Sequence, residues 1–201
     1  MKNMAKLFGI IALLTIMGNQ TTLFAQSAGG RTDAFFKMFS SGNYHMKAQM
    51  LGGEVDESTI ETYVKDDRMA SVISAAGEAT RIIIRDNKTY IIIDSARMVI
   101  VAPLDNSSET GRIETEGMRF TGSGTAIFAG KSLPYEEYSS PDGIEAQYFL
   151  DGNRLAGIRN IVDREGTIDI VILELDQNVP NNVFDIPSGY QVQDMTNFGQ
   201  Y

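Results

Sequence analysis

The side chains that could support catalysis are few and poorly placed for it. His45 is the only histidine, and the chain has no cysteine. His45 falls on the polar side of an alternating strand, where we expect it to face solvent. The acids Glu136 and Glu137 are expected on opposite faces of a strand, where they cannot share a proton, and an edge or surface position is predicted for them. No catalytic residue is therefore assigned.

Metal-binding and phosphate-binding patterns are equally incomplete. Asp163, Glu165 and Asp169 lack the spacing and the glycine of an EF-hand loop. The segment Gly122-Ser123-Gly124 is not followed by the lysine and hydroxyl residue of a phosphate-binding loop. We expect no enzyme activity, no metal and no cofactor. Hydrolysis by an unrecognised carboxylate pair stays open as an alternative, and it would require two acids that converge in a cleft.

One short helix is predicted near the start of the globular part. Thr32 is a suitable N-cap, Asp33 complements the positive helix end, and an aromatic segment follows up to Phe39, before Ser41-Gly42 ends the helix. The segment carries three phenylalanines, more than a narrow apolar stripe requires. Two interpretations follow: the helix covers a sheet and its rings are core, or it closes the mouth of a cavity.

The elements after this helix have the period of strands. Alternation over 44–50, 58–65 and 68–74 predicts half-buried strands, whereas 81–85, 90–94 and 98–102 are apolar on both faces. The linkers are too short for crossover helices, so the sheet must be antiparallel. Both faces then need cover. Either a second layer packs outside, or the sheet curls around a helix or an apolar ligand.

Residues 103–132 interrupt this pattern with polar and glycine-rich sequence. We predict an irregular excursion there, with a short helix around 112–118 that crosses one opening of the sheet. Strands are expected again at 134–139, 144–150, 155–162 and 167–175. The predicted fold class is mainly β (α+β): a strongly curved open antiparallel sheet, or half-barrel, with one or two short helices covering the concave side.

The amino terminus has the order of a secretory signal peptide. Lys2 and Lys6 precede an apolar run over 7–17, which is too short to be a transmembrane anchor, and cleavage is expected after Ala25. A lipoprotein signal would need a cysteine at the cut. We therefore divide the chain into a signal peptide (1–25), a single half-barrel domain (26–195) and a tail (196–201), and expect a periplasmic or secreted protein.

Composition supports a globular, exported domain. The chain is 43% hydrophobic and 21% charged, which is typical of a folded protein rather than a disordered one. Loss of Lys2 and Lys6 with the leader would change the formal net charge from −9 to −11. Such a surface repels nucleic acid and anionic membranes, so neither is an expected partner.

Several motifs are similar to those of a known superfamily. The runs 63–68, 85–94 and 97–99 resemble the central hairpins of the periplasmic lipoprotein carrier superfamily typified by LolA. The segment 179–190, with Phe184 and the Pro187-Ser188-Gly189 turn, is similar to that superfamily's closing strand. The chain looks closest to the small exported families of unassigned function within that group. The resemblance implies an open curved sheet whose hollow is closed by helices and, in the characterised carriers, receives acyl chains.

We therefore expect an exported, non-catalytic binding protein with an apolar hollow. Its expected partners are an apolar ligand or the acyl chain of a lipid or lipoprotein, and an envelope protein is a further possible partner. The predicted ligand-lining residues are Phe35, Phe36, Phe39, Ile82, Ile84, Ile91, Ile93 and Ile100. The alternative is a structural or protein-interaction module of the envelope whose core is filled by its own side chains.

Overall fold

The computed structural model describes residues 30–52, 58–75, 77–104, 117–140, 143–162 and 166–195. Its elements are one helix, twelve strands and one short 3-10 helix. In chain order they are α1 (Asp33–Ser40), β1 (Asn43–Leu51), β2 (Ser58–Lys65), β3 (Arg68–Ala75), β4 (Glu78–Arg85), β5 (Lys88–Ile93), β6 (Met98–Pro103), β7 (Arg119–Phe128), β8 (Lys131–Ser139), β9 (Glu145–Asp151), β10 (Arg154–Val162), β11 (Gly166–Asp176), the 3-10 helix (Asn181–Phe184) and β12 (Gln191–Asp194).

All twelve strands form one open, curved sheet in the order β12-β6-β5-β4-β3-β2-β1-β11-β10-β9-β8-β7. Neighbouring strands are antiparallel, except that β12 runs parallel to β6. Strand β1 pairs with both β2 and β11, so it joins the two halves of the meander. The predicted fold class is confirmed.

Tight turns account for the antiparallel order. Asp86 and Asn87, between β4 and β5, have φ values of 52° and 59°, which two-residue hairpin turns of the favoured hand require. Asp66, in the turn between β2 and β3, has a φ of 58°. Aspartate and asparagine tolerate this left-handed conformation better than other residues with a side chain. The linkers thus return the chain at once to the neighbouring strand.

The helix covers the concave face of the sheet, which we call the inner face. Phe36 and Phe39 of α1 lie in a buried cluster with side chains from strands on both sides of β1. The strand members of this cluster include Tyr44, Met46, Ile60, Val64, Met69, Ile82, Ile84, Tyr138, Tyr148, Leu150 and Ile172. The core of the protein therefore lies between the helix and the inner face.

The opposite, outer face of β3 to β6 is covered by a different segment. Residues 179–190, here called the C-terminal strap, place Val179 and Phe184 against Ile83, Ile92 and Val99. Phe184 is fully buried, and the Arg68 guanidinium lies 4.6 Å above its ring. These strands are apolar on both faces because each face is covered: the inner face by the core and the outer face by the C-terminal strap.

A separate apolar cluster covers the outer face at the other end of the sheet. Phe128 stacks on Phe149 with ring centroids 4.4 Å apart, and Leu133 completes the cluster. Gly157 lies under the Phe128 ring, which occupies the place that a side chain at 157 would take. This close approach lets the aromatic pair pack directly on β10.

The expectation of an irregular excursion over 103–132 is wrong for its second part. Residues 119–128 form β7, a ten-residue strand paired with β8. The glycines of this segment concealed the strand because glycine is depleted in strands and has no side chain to contribute to an alternating pattern. The predicted helix over 112–118 lies outside the described residues, except that Gly117 is in a turn and Met118 is buried.

Candidate functional site

Aromatic rings fix the helix on the inner face. The Phe36 ring makes edge-to-face contacts with Tyr138 and Tyr148, at centroid distances of 4.8 and 5.0 Å. Phe39 contacts Tyr44 in the same way at 5.2 Å. Such contacts add about 0.5–1.5 kcal/mol per pair beyond burial. The helix thus spans the inner face from β8 to β1.

A buried carboxylate holds the amino-terminal end of the helix. Glu136 Oε2 accepts hydrogen bonds from Thr32 Oγ1 at 2.7 Å and from the Thr32 backbone N–H at 3.1 Å, and Oε1 accepts one from the Arg31 N–H at 2.9 Å. The Tyr138 hydroxyl lies 2.6 Å from Thr32 Oγ1 and 3.2 Å from Glu136 Oε2. Gly30 is close enough that a Cβ there would meet Glu136 and Tyr138. These groups form one network, here called the helix latch.

The helix latch corrects two expectations from the sequence. Glu136 is 9% exposed and therefore not a surface or edge charge. Thr32 is at the N-cap position, but its side chain makes no capping bond to the helix backbone; its hydroxyl donates to Glu136 and lies 2.6 Å from the Tyr138 hydroxyl. Burial alone would raise the pKa of Glu136, but the hydrogen bonds from Thr32 and the Arg31 N–H outweigh it and lower that pKa. The carboxylate is thus stabilised in its charged form.

The predicted lining residues on the helix and β4 lie together, but they are packed into the core. Phe36, Phe39, Ile82 and Ile84 are all buried in the inner core, and Phe35 packs against them while partly exposed. The inner face beside the helix is therefore occupied by the protein's own side chains.

The predicted lining residues on β5 and β6 have a different environment. Ile91 lies opposite both Ile82 on β4 and Ile100 on β6, and opposite residues of antiparallel strands share one face. Ile91, Ile93 and Ile100 are thus on the inner face, but all three are only partly buried. Met98 is opposite Ile93 and equally partly buried. We call Ile91, Ile93, Met98 and Ile100 the inner aliphatic strip.

Met98 was missed because its role depends on register. A methionine at the start of a strand carries no signal of its own, whereas its pairing with Ile93 across the Asp94–Arg97 turn places it beside the strip. Alternation outward from Ile100 would have placed Met98 on the same face as that residue. The strip extends the buried core along the inner face without a charged side chain.

His45 does not face solvent as expected. It is 7% exposed and stacks on Tyr63 with ring centroids 4.5 Å apart. Its Nε2 is 3.1 Å from Glu61 Oε1, and its Nδ1 is 3.4 Å from Asp176 Oδ2. Burial and a hydrogen bond to Glu61 raise the pKa of Tyr63 to about 12. That Tyr63 bond is also the main reason that the pKa of Glu61 is lowered.

This polar cluster ties β1 to its two neighbours. His45 is on β1, Glu61 and Tyr63 are on β2, and Asp176 ends β11. The alternating pattern placed His45 correctly on the outer face, but the aromatic neighbour that buries it comes from another strand. Within the described ranges, no three histidine, aspartate or glutamate side chains are grouped so that they could hold a metal ion.

Of the three acids considered for calcium binding, only Asp169 lies within the described residues. Asp169 is on β11 and accepts two hydrogen bonds from the Arg159 guanidinium, at 2.7 and 2.8 Å. This bidentate pair commits both of its oxygens to a strand-to-strand contact. Asp163 and Glu165 lie outside the described residues.

Fold and site define an open antiparallel half-barrel with a helix on its concave side and a partly exposed aliphatic strip beyond that helix. A crystal structure of an uncharacterized conserved protein from Thermus thermophilus is similar to this chain, with a TM-score of 0.53 and 12% identity over 84% of this chain and 99% of that one. A LolA superfamily protein from Nitrosomonas europaea has a TM-score of 0.44 and 10% identity, covering 82% and 99%.

A third similar structure is MucB in complex with MucA(peri), with a TM-score of 0.42 and 14% identity, covering 81% of this chain and 60% of MucB. No protein-family model matches the chain, and no curated protein matches it either. One of these similar structures belongs to the LolA superfamily, which the sequence motifs resemble. At these identities the similarity shows the fold alone. In the described part of the chain, no helix has the length and apolarity needed to cross a membrane.

Proposed function

We propose that this chain is an exported binding protein that holds an apolar chain, such as the acyl group of a lipid or lipoprotein, against the inner aliphatic strip. The observation that supports this is the contrast along one face. Ile82 and Ile84 are buried in the inner core, whereas Ile91, Ile93, Met98 and Ile100 continue the same surface and stay partly exposed.

The physical gain would come from burial of aliphatic groups. Each buried CH₂ contributes about 0.8 kcal/mol, so micromolar affinity, about 8.2 kcal/mol, requires the burial of at least about ten methylenes, because association also has an entropic cost. Acyl chains suit the strip because it is built from isoleucine and methionine, and methionine adapts its shape to a neighbouring chain. Neither a catalytic group nor a cofactor has a role in this function.

Titration with a naturally fluorescent polyene fatty acid tests the proposal. Ile91→Asn and Ile100→Asn each place an amide in the strip, and we expect each to weaken binding at least about tenfold, a loss of about 1.4 kcal/mol. Leu173→Asn is the matched control, because Leu173 is an exposed aliphatic residue on β11. Far-UV circular dichroism verifies that each variant is folded. Equal affinity in the strip variants and the control would reject the proposal.

The filled space beside the helix favours the second candidate, a protein-interaction module without a ligand. Phe39, Tyr44 and Tyr148 are completely or almost completely buried there. In that case the wild-type protein binds no fatty acid at any concentration below the ligand's solubility limit. The same titration therefore separates the two candidates.

Export is a separate part of the proposal. The mature protein recovered from a periplasmic or culture fraction should begin at Gln26, which amino-terminal sequencing establishes. Ala25→Phe replaces the small residue that the signal peptidase needs, so the uncleaved precursor should accumulate. Recovery of the wild-type chain from the cytoplasm, with Lys2 and Lys6 still present, would contradict export. The binding proposal would then still be decided by its own titration.

A further inference from the structure

A polar cluster lies on the outer face where the two halves of the meander meet. His45 belongs to β1, which pairs with β2 on one side and with β11 on the other. The register places Tyr63 of β2 and Asp176 of β11 directly opposite His45. Asp176 is 131 positions further along the chain than His45. The His45 ring therefore connects strands from distant parts of the sequence.

The contacts of Glu61 show which ring nitrogen carries a proton. Glu61 Oε1 accepts the Tyr63 hydroxyl at 2.7 Å and lies 3.1 Å from His45 Nε2. The Tyr63 bond lowers the pKa of Glu61, and burial raises the pKa of Tyr63 to about 12. Between about pH 5 and pH 8, Glu61 is therefore ionised while Tyr63 keeps its proton. Because an ionised carboxylate only accepts hydrogen bonds, Nε2 must be the donor.

The other ring nitrogen faces a second carboxylate. His45 Nδ1 lies 3.4 Å from Asp176 Oδ2, and Oδ1 of Asp176 accepts the Asn178 backbone N–H at 2.7 Å. A neutral imidazole has one N–H, which is already directed to Glu61, so its Nδ1 lone pair would face the Asp176 oxygen and repel it. An imidazolium has two N–H groups and can donate to both carboxylates. Both contacts are therefore favourable only when the ring carries two protons.

The charges around the ring also favour a second proton. The titratable groups that face His45 from its own strand, from β2 and from β11 are Lys47, Glu61, Tyr63, Glu174 and Asp176. Tyr63 is neutral, so three carboxylates oppose one ammonium group, and that ammonium lies 4.0 Å from Glu174. A positive charge on the ring reduces this excess of negative charge.

We propose that His45 is a pH-sensitive bridge between β2 and β11, which holds both strands when its ring carries two protons and releases Asp176 when Nδ1 loses its proton. An ordinary histidine titrates near pH 6.5. The stabilisation that the bridge provides is therefore present in mildly acidic solution and is lost as the pH rises. The Nε2 bond to Glu61 remains after proton loss, so the change falls on the junction of β1 with β11.

This bridge is independent of the inner aliphatic strip. His45 and Asp176 are on the outer face, whereas the strip occupies the inner face of β5 and β6. Either proposal can fail alone.

Asp176→Asn tests the bridge, because the asparagine amide can donate a hydrogen bond to the unprotonated Nδ1. Glu174→Gln is the matched control, since it removes one negative charge from an exposed position of the same strand. Urea unfolding gives the folding equilibrium constant of each variant relative to wild type. From about pH 5.5 to about pH 8, this ratio should rise at least about fivefold for Asp176→Asn and change less than about twofold for Glu174→Gln.

Nitrogen-15 NMR of the imidazole ring gives a second readout that needs no variant. His45 is the only histidine, so its ring signals in the untagged protein need no assignment. We expect both ring nitrogens to be protonated at about pH 5.5 and only Nε2 at about pH 8. Any other distribution of the ring protons, or the same pH dependence in Asp176→Asn and Glu174→Gln, would overturn the proposal.

Discussion

The hydroxyl of Thr32 donates a 2.7 Å hydrogen bond to Glu136, a residue 104 positions further along the chain. This contact fastens the start of the only described α-helix to β8, in addition to the aromatic contacts of Phe36 and Phe39 with the inner face. A buried charge is tolerated only when it is well hydrogen-bonded, and Glu136 has bonds from both Thr32 and the Arg31 N–H.

Removing the hydroxyl of Thr32 should destabilise the protein. Thr32→Val leaves Glu136 buried with one donor fewer, and we expect a loss of about 1.5–3 kcal/mol in the free energy of unfolding, measured with urea. The matched control is Thr121→Val, because Thr121 also donates to a glutamate, Glu137, but at 3.4 Å on an exposed surface. We expect the control to change stability by less than about 0.5 kcal/mol.

Low pH should remove the contribution that Glu136 makes to the stability of the protein. Because the folded-state pKa of Glu136 lies below its ordinary value of 4.5, its contribution is complete above about pH 4.5 and is lost as the pH falls through the folded-state pKa. The stability difference between wild type and Glu136→Gln should therefore be largest near neutral pH and shrink below about pH 4.5. Urea unfolding from pH 7 to pH 3 measures it. A difference that stays constant with pH would contradict a charged helix latch.

Close packing at Gly157 should exclude any side chain. A Cβ at this position would overlap the Phe128 ring and the backbone oxygen of Ile170, and a strand backbone cannot move aside cheaply. We expect Gly157→Ala to cost at least about 2 kcal/mol of stability. Gly122→Ala is the control, since nothing lies within 4 Å of its Cβ position. Equal thermal midpoints for the two variants would be inconsistent with this packing.

The C-terminal strap should contribute strongly to stability. Phe184 is 1% exposed, and its backbone oxygen accepts a hydrogen bond from Arg85 at 3.0 Å. We expect Phe184→Ala to cost about 3–5 kcal/mol and to make the carboxyl-terminal residues more sensitive to limited proteolysis. Val192→Ala, at an exposed position beyond the strap, should leave both measurements near wild type. An unchanged cleavage pattern in Phe184→Ala would show that the strap is held by other contacts.

Local sequence patterns were sufficient to predict most of the helices and strands, with β7 and β12 as the two exceptions. The helix ending at Ser40 and the hairpin turn at Asp86-Asn87 follow from capping and turn chemistry in a few adjacent residues. Strand β7 was missed because its glycines give no alternating pattern of side chains, and β12 was missed because its four residues are all exposed. The place of β12 in the sheet comes from pairing with β6, which short-range sequence does not encode.

The sequence predicted which residues belong to the candidate site, but not how buried each of them is. The sequence identified Ile82, Ile91 and Ile100 as members of strands apolar on both faces, and register places all three on the inner face. It could not tell that Ile82 is buried while Ile91 stays partly exposed, because burial depends on neighbours that are distant in sequence.

The sequence by itself determined that the sheet is antiparallel, because linkers of only a few residues allow only hairpins, and that both apolar faces of its central strands need cover. Tertiary structure alone decided what provides that cover. The strap comes to the outer face from residues 179–190, and the pairing of β1 with β11 joins segments more than a hundred residues apart. It also buried Glu136 and His45, which local patterns place at the surface. Burial is set by neighbours distant in sequence, and a local pattern records only which face a side chain takes.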